Sequence, residues 1–231
     1  MTSLRHITDT CWVAETSLKF MGFPLTSRMT VLQLPDGLWL HSPVPLAPIR
    51  QDLDRLGPVR WRVAPNLMHH LYQGDYQTAY PESLLFAPAA LAHKRPDLRI
   101  DAPTTDLPDA WAGQIDRVAI AGNPMLTETV FLHRPSRSLL LTDLAVHIGP
   151  WDHWLMRLYG RLNRCYGRLA LSYGLKAMIK DRAAARRSID QVLDWDFDRV
   201  IPAHGPIIER QGKDALRAAF AWLPSLASPR Q

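Results

Sequence analysis

Cysteine is nearly absent from this chain of 231 residues: Cys11 and Cys165 are the only two, far apart and in no CxxC pair. A disulfide framework and a zinc ribbon are both excluded. There is no run of about 18 apolar residues, so no conventional membrane-spanning helix is encoded. The opening stretch, MTSLRHITDTCWVAETSLKF, lacks the cationic-then-apolar order of a secretory leader. No tandem repeat is visible, which argues against a solenoid. With 47% hydrophobic and 21% charged residues, the chain is too apolar to stay disordered. Together these features predict a soluble, cytoplasmic protein able to bury a real core.

Carboxylates are scarce in one place. Between Trp151 and Arg187, nine Lys and Arg residues stand against Asp152 and Asp181, a local charge of +7. The whole chain carries only +5, so the remainder sums to −2. Positive charge therefore belongs to one segment rather than to the body, and no nucleic-acid partner is expected. Within that segment Tyr159-Gly160, Tyr166-Gly167 and Tyr173-Gly174 recur every seven residues. On a helix they would form nearly straight stripes. Each glycine costs about 1 kcal/mol inside a helix, so three ask for close approach of another helix or for a break into shorter ones. Trp151, Trp154, Leu155, Leu158, Leu162, Leu169 and Tyr173 would line an apolar face, with Arg157, Arg161, Arg164 and Arg168 on another. Segment 151–187 is thus predicted to be a mainly helical, basic, aromatic insertion. Its part 151–180 suits a second copy of the chain, as a homodimer, or an anionic membrane surface.

Elsewhere the pattern is one of strands and short helices. Residues 1–28 are mixed and polar, and predict an irregular or partly helical lead-in. TVLQL (30–34) and LWLHSPV (38–44) flank Asp36-Gly37, a strong hairpin signal. A short helix over 49–56 should end at Gly57, followed by the strand VRWRV (59–63), a helix over 68–80 and the strand SLLFA (83–87). Residues 88–108 predict mostly loop. IDRVAI (115–120) is followed by a second hairpin, TVFLH (129–133) with SLLLT (138–142). A helix over 186–193, the buried strand RVIP (199–202) and an amphipathic helix over 213–223 complete the series. Helices interleaved with strands in two similar halves predict two sheets, each covered on its outer face by helices. One domain over 29–224 fits this order, with 225–231 as a tail.

Three polar clusters fall at the ends of predicted strands, where loops present functional groups. They are Asn66-Leu67-Met68-His69-His70, Thr142-Asp143 and Ala203-His204-Gly205. Histidine, aspartate and histidine on successive strand ends have the composition of a metal site. Blander readings compete at each position. His69 and His70 adjoin, so at most one points easily into a shared site, and either could be a cap or surface group. Asp143 could satisfy backbone N–H groups after its strand. Glu128, at a strand start, is exposed by default, and His147 is at most an outer candidate.

These residues resemble the metallo-β-lactamase superfamily. RSLLLTDLA is similar to the strand that ends in that superfamily's bridging aspartate, and DFDRVIPAHG to its last metal-ligand motif. VRWRVAPNLMHH lies where the superfamily carries His-x-His-x-Asp-His. The resemblance reaches from Met29 to Leu223 and implies an α/β fold, the four-layer αβ/βα sandwich, with ligands along one edge of two sheets. Departures accompany it. Asn66 and Met68 fall near the two leading histidines; an Asn carbonyl oxygen could coordinate weakly, whereas Met is a poor replacement for imidazole. GNPMLTE contains no third histidine, and Glu128 is its nearest candidate. The resemblance therefore implies a divergent branch with one metal site dismantled. The other would survive on His69 or His70, Asp143 and His204.

Two functions are compatible with that set. One is a metal-dependent hydrolase acting on a small-molecule substrate with one divalent metal (zinc, iron or manganese), Asp143 serving as ligand and proton acceptor. Glu128 would be its auxiliary base or a fourth ligand. The other is a non-catalytic member of the same fold that binds a small ligand or a protein; nucleic-acid binding through the basic segment is a third, less favoured because the charge is localised and ligands are missing.

Overall fold

Alternation of apolar and polar residues builds most of the molecule. The computed structural model describes residues 3–224, apart from 21 and 107; the expected tail, 225–231, lies outside the described residues. The first sheet comprises β1 (Arg5–Thr8), β2 (Cys11–Phe20), β3 (Phe23–Leu34), β4 (Gly37–His41), β5 (Val59–Val63), β6 (Leu84–Ala87) and β7 (Ala102–Pro103), side by side in chain order. Pairing is antiparallel through β4 and parallel from β4 to β7. A second sheet holds β8 (Ile115–Ala119), β9 (Thr129–His133), β10 (Ser138–Leu141) and β13 (Arg199–Pro202), in the order β13-β10-β9-β8. A small ribbon joins β11 (Val146–His147) to β12 (Leu169–Ala170).

Every second residue of these strands chooses a layer. In β4, Leu38 and Leu40 pack outward with Leu53 of α1 (Arg50–Leu56) and Tyr76 of α2 (Gln73–Ala79). Trp39 between them points inward, edge-on to Phe131 of β9 with ring centroids 5.2 Å apart. In β9, β10 and β13 the outward residues Val130, Leu139 and Val200 meet α6 (Arg182–Asp194) and α7 (Gly212–Ala219). The inward residues Phe131, Leu140 and Ile201 close the core between the sheets. Helix, sheet, sheet, helix is the four-layer order expected of the sequence. Trp111 sits at the centre of that core, with Phe86, Trp39 and Trp61 around it at 4.5, 5.7 and 6.3 Å between centroids. Such aromatic pairs add about 0.5–1.5 kcal/mol each beyond the area they bury.

Some expectations are corrected. Residues 5–20 and 23–28 are not an irregular or partly helical lead-in: they form β1, β2 and the first half of β3. In the first half of β3 the alternation is masked because Ser27 and Arg28 are buried polar residues. Segment 151–187 is not one helical run. It divides into α4 (Trp154–Leu162), the ribbon strand β12, α5 (Tyr173–Met178) and the start of α6. Gly160 lets α4 close onto Ile148, where a Cβ would sit 3.1 Å from that side chain, whereas Gly167, at φ +69°, reverses the chain. Residues 88–108 include a single turn of helix, α3 (Leu91–Lys94), and β7. The helix expected over 68–80 starts only at Gln73.

His41 of β4 and His133 of β9 are buried inside this frame. Burial pushes His41 down to about 3, with the charge of His69 adding to it, and pushes His133 down to about 4. The unfolded chain takes up a proton near pH 6.5 at each, while the folded chain refuses it. Stability contributed by the neutral form is therefore full above pH 6.5 and falls as pH drops toward 4, by about 1.4 kcal/mol per pH unit per histidine. His133→Gln removes one such proton. Its stability deficit against wild type, read by denaturant unfolding, should shrink by over ~1 kcal/mol between pH 7 and pH 5. An equal deficit at both pH values would contradict the assignment.

Candidate metal centre

The centre forms where both sheets present strand ends on one edge. β5 stops at Ala64-Pro65-Asn66, and the Asn66 side chain organises the next turn of the chain. Its Oδ1 accepts from the backbone N–H groups of Met68 and His69 at 2.8 and 2.9 Å. That capture is a local competitor of helix formation, which explains the late start of α2. Because both groups are donors, the amide orientation is settled, and the Nδ2 end faces the second sheet. There its two protons are shared among Asp143 Oδ2 (2.8 Å), Thr142 Oγ1 (2.9 Å) and Glu128 Oε2 (3.2 Å). Asn66, Thr142 and Glu128 are all essentially inaccessible to solvent.

Asp143 and His204 arrive on adjacent parallel strands, β10 and β13, which pair Leu141 with Pro202. After β13 the chain bends at Gly205, whose φ is +88°; a Cβ there would lie 1.3 Å from the carbonyl oxygen of His147. Only glycine permits that approach. The buried Arg28 of β3 clasps this bend, donating to the carbonyls of Pro202 and Gly205 and to Glu15 of β2.

Three side chains converge. His69 Nε2 lies 3.3 Å from Asp143 Oδ2, His204 Nε2 lies 3.3 Å from Asp143 Oδ1, and the two Nε2 atoms are 3.2 Å apart. Ligands about 2.0–2.1 Å from a shared tetrahedral centre would be about 3.3 Å from one another, so the donor set fits a metal ion. Both far nitrogens are anchored. His204 Nδ1 meets the Thr26 carbonyl at 2.7 Å and must donate to it, which leaves Nε2 the lone pair when the ring is neutral. His69 Nδ1 meets Ser42 Oγ at 2.6 Å. Burial alone would raise the Asp143 carboxyl, but His69 and His204 outweigh it and hold it well below the usual carboxylate range. Burial would lower His204, but the hydrogen bond and charge of Asp143 push it up.

The structure sorts the sequence candidates. His69, Asp143 and His204 come together, their ligand atoms all within 4.8 Å of one another. His70 does not join them: Arg95 donates to its Nδ1 at 3.1 Å, and burial followed by the nearby Lys94 and Arg95 pushes it down to about 4. His147 donates from Nδ1 to the Pro206 carbonyl instead. Glu128 is neither exposed nor a free base or fourth ligand. Its oxygens accept from the backbone N–H groups of Thr142, Asp143 and Leu144 at 2.7–2.8 Å. Burial and the neighbouring Asp143 push its carboxyl up to about 7, against the pull of those donors.

Ser42, Thr26 and Arg28 escaped the sequence reading. Ser42 directly follows the strand LWLH, so it shares the strand-end position of the three clusters. Arg28 gave one faint signal, a charge at an alternating position beside an apolar run. Asn66 itself is a hub of hydrogen bonds rather than a ligand. Asn66→Ala should cost on the order of 2–4 kcal/mol in denaturant unfolding, since it strands two buried carboxylates and two backbone donors. A cost below about 1 kcal/mol would contradict that role.

No family model matches the chain, and no curated protein does. Solved structures do. A metallo-β-lactamase from Pontibacter korlensis aligns over 96% of this chain and 99% of its own, with 15% identity and a TM-score of 0.63. The metallo-β-lactamase FIM-1 from Pseudomonas aeruginosa, in a mono-zinc form, aligns over 95% of each chain with 14% identity and a TM-score of 0.64. The Flv1 flavodiiron core from Synechocystis aligns over 96% of this chain and 60% of its own, with 10% identity and a TM-score of 0.66. On architecture, strand order and these alignments, the chain has the metallo-β-lactamase fold.

Proposed function

We propose that the protein is a metal-dependent hydrolase with a reduced centre, one divalent ion held by His69, Asp143 and His204. The observation that carries this reading is the convergence of two imidazole Nε2 atoms and one carboxylate within 3.2–3.3 Å. Two imidazoles and a carboxylate suit zinc, iron or manganese. Such an ion, with an open position, lowers the pKa of water and polarises a substrate carbonyl or phosphoryl oxygen.

The chain's own groups divide the remaining work. Asp143 stays ionised and supplies the negative charge, while Asn66 holds one of its oxygens. The Thr26 carbonyl keeps the His204 proton on Nδ1, and Ser42 orients His69. These supports hold ligands in place before an ion arrives, which favours binding by three residues. Among the described residues the one group of possible metal ligands is His69, Asp143 and His204, and Asn66 at the leading position is a hydrogen-bond hub, which supports a single ion.

One observation favours the alternative, a non-catalytic ligand-binding protein of this fold. Glu128 and Asn66 satisfy each other and the backbone, so Glu128 is not free to act as a base beside the three ligands. Elemental analysis of protein purified without chelator should find about one equivalent of metal in wild type and none in His204→Ala or Asp143→Ala. Turnover in a screen of esters, lactones and phosphodiesters should disappear with the metal. Bound metal without turnover would favour the alternative, and no metal even after reconstitution would sink the hydrolase reading.

A further inference from the structure

Exposed apolar residues are concentrated on one short helix. Trp151 is 95% exposed, and on α4 Trp154, Leu158 and Leu162 are 58%, 47% and 68% exposed at a spacing of four. That spacing puts the three leucine and tryptophan side chains on one face. The opposite face is the one the fold uses: Met156 and Gly160 are buried, packing with Ile148 and Cys165. The outer stripe thus has no packing duty within the chain. Single exposed leucines are ordinary, but three large apolar groups in one row, with the exposed Trp151 just ahead of the helix, are not.

Charge identifies what would cover it. Arg157 and Arg161 lie on α4 along one flank of the stripe, and Arg164 and Arg168 follow its end. Among the described residues none of these four forms an ion pair with a carboxylate. The two carboxylates of the segment are committed elsewhere, Asp152 to the backbone of Gly149 and Asp181 to the start of α6. Burial together with Arg168 and Arg164 lowers Lys176, a sign of crowded cations. A second copy seated face to face would set arginines against arginines. A layer of anionic headgroups over hydrocarbon matches both features at once, with tryptophan at the boundary.

We propose that α4 is a peripheral docking element for anionic lipid surfaces, inserting Trp151, Trp154, Leu158 and Leu162 between headgroups paired with its arginines. Docking there is independent of the metal reading.

Co-sedimentation with vesicles tests this on the full chain. Binding is expected to vesicles of phosphatidylcholine mixed with phosphatidylglycerol, to weaken with salt, and to be far weaker on phosphatidylcholine alone. Trp154→Ser with Leu158→Ser should lose more than about tenfold in affinity. Arg161→Gln should lose about fivefold. Both variants alter exposed groups, and unchanged circular dichroism and metal content would show the fold and centre intact. Absence of vesicle binding, equal binding to neutral vesicles, or binding untouched by the variants would overturn the proposal. Self-association abolished by the same variants, without vesicle binding, would overturn it in favour of a second copy.

Discussion

The Asn66 amide is the joint on which this architecture depends. Its oxygen binds the loop that carries His69, and its nitrogen binds the turn that carries Asp143, so one buried group couples the two sheets at their shared edge. Buried carboxylates are costly unless their oxygens find donors. Asn66 provides a donor to both Glu128 and Asp143, and the Thr142–Leu144 backbone provides the rest. With those needs met, the face of Asp143 toward the two imidazoles stays available.

The same logic places His204. Its ring is buried, and a buried imidazole without partners would be a liability. The Thr26 carbonyl and Asp143 satisfy its two nitrogens, and Arg28 binds the bend that carries it. Both Thr26 and Arg28 belong to β3, where it extends past its pairing with β4 (Thr30–Leu34) and reaches the opposite sheet's last loop. The long β2–β3 hairpin is therefore part of the centre's frame rather than a decoration. A lone histidine after RVIP acquires its meaning from strands more than 170 residues earlier in the chain.

Local patterns make much of this legible. The strands VRWRV and RVIP, the hairpin TVFLH with SLLL, and the strand-end positions of Asp143 and His204 can be read directly, because alternation and turn residues act over a few positions. Only one of the adjacent His69 and His70 can serve, and periodicity does not choose between them. The choice is made by Asn66, through side-chain bonds to the next turn, and by Arg95, which holds His70 elsewhere. Glu128 is hidden because a carboxylate that binds three backbone N–H groups looks, in sequence, like any solvated one. The first half of β3 is hidden for a related reason: Ser27 and Arg28 are buried although polar, and Arg28 serves a partner far along the chain. Tyr-Gly repeats at seven-residue spacing imitate a long helix, yet α4 stops at Leu162, and Arg164 and Gly167 then both adopt a positive φ.

The central claim is that a centre of two imidazoles and one carboxylate binds a single ion. X-ray absorption at the metal edge of the loaded protein tests it most directly. The account expects two imidazole nitrogens and at least one oxygen at about 2.0–2.2 Å, with no sulfur. A third imidazole, or a second metal at about 3.5–4 Å, would contradict it.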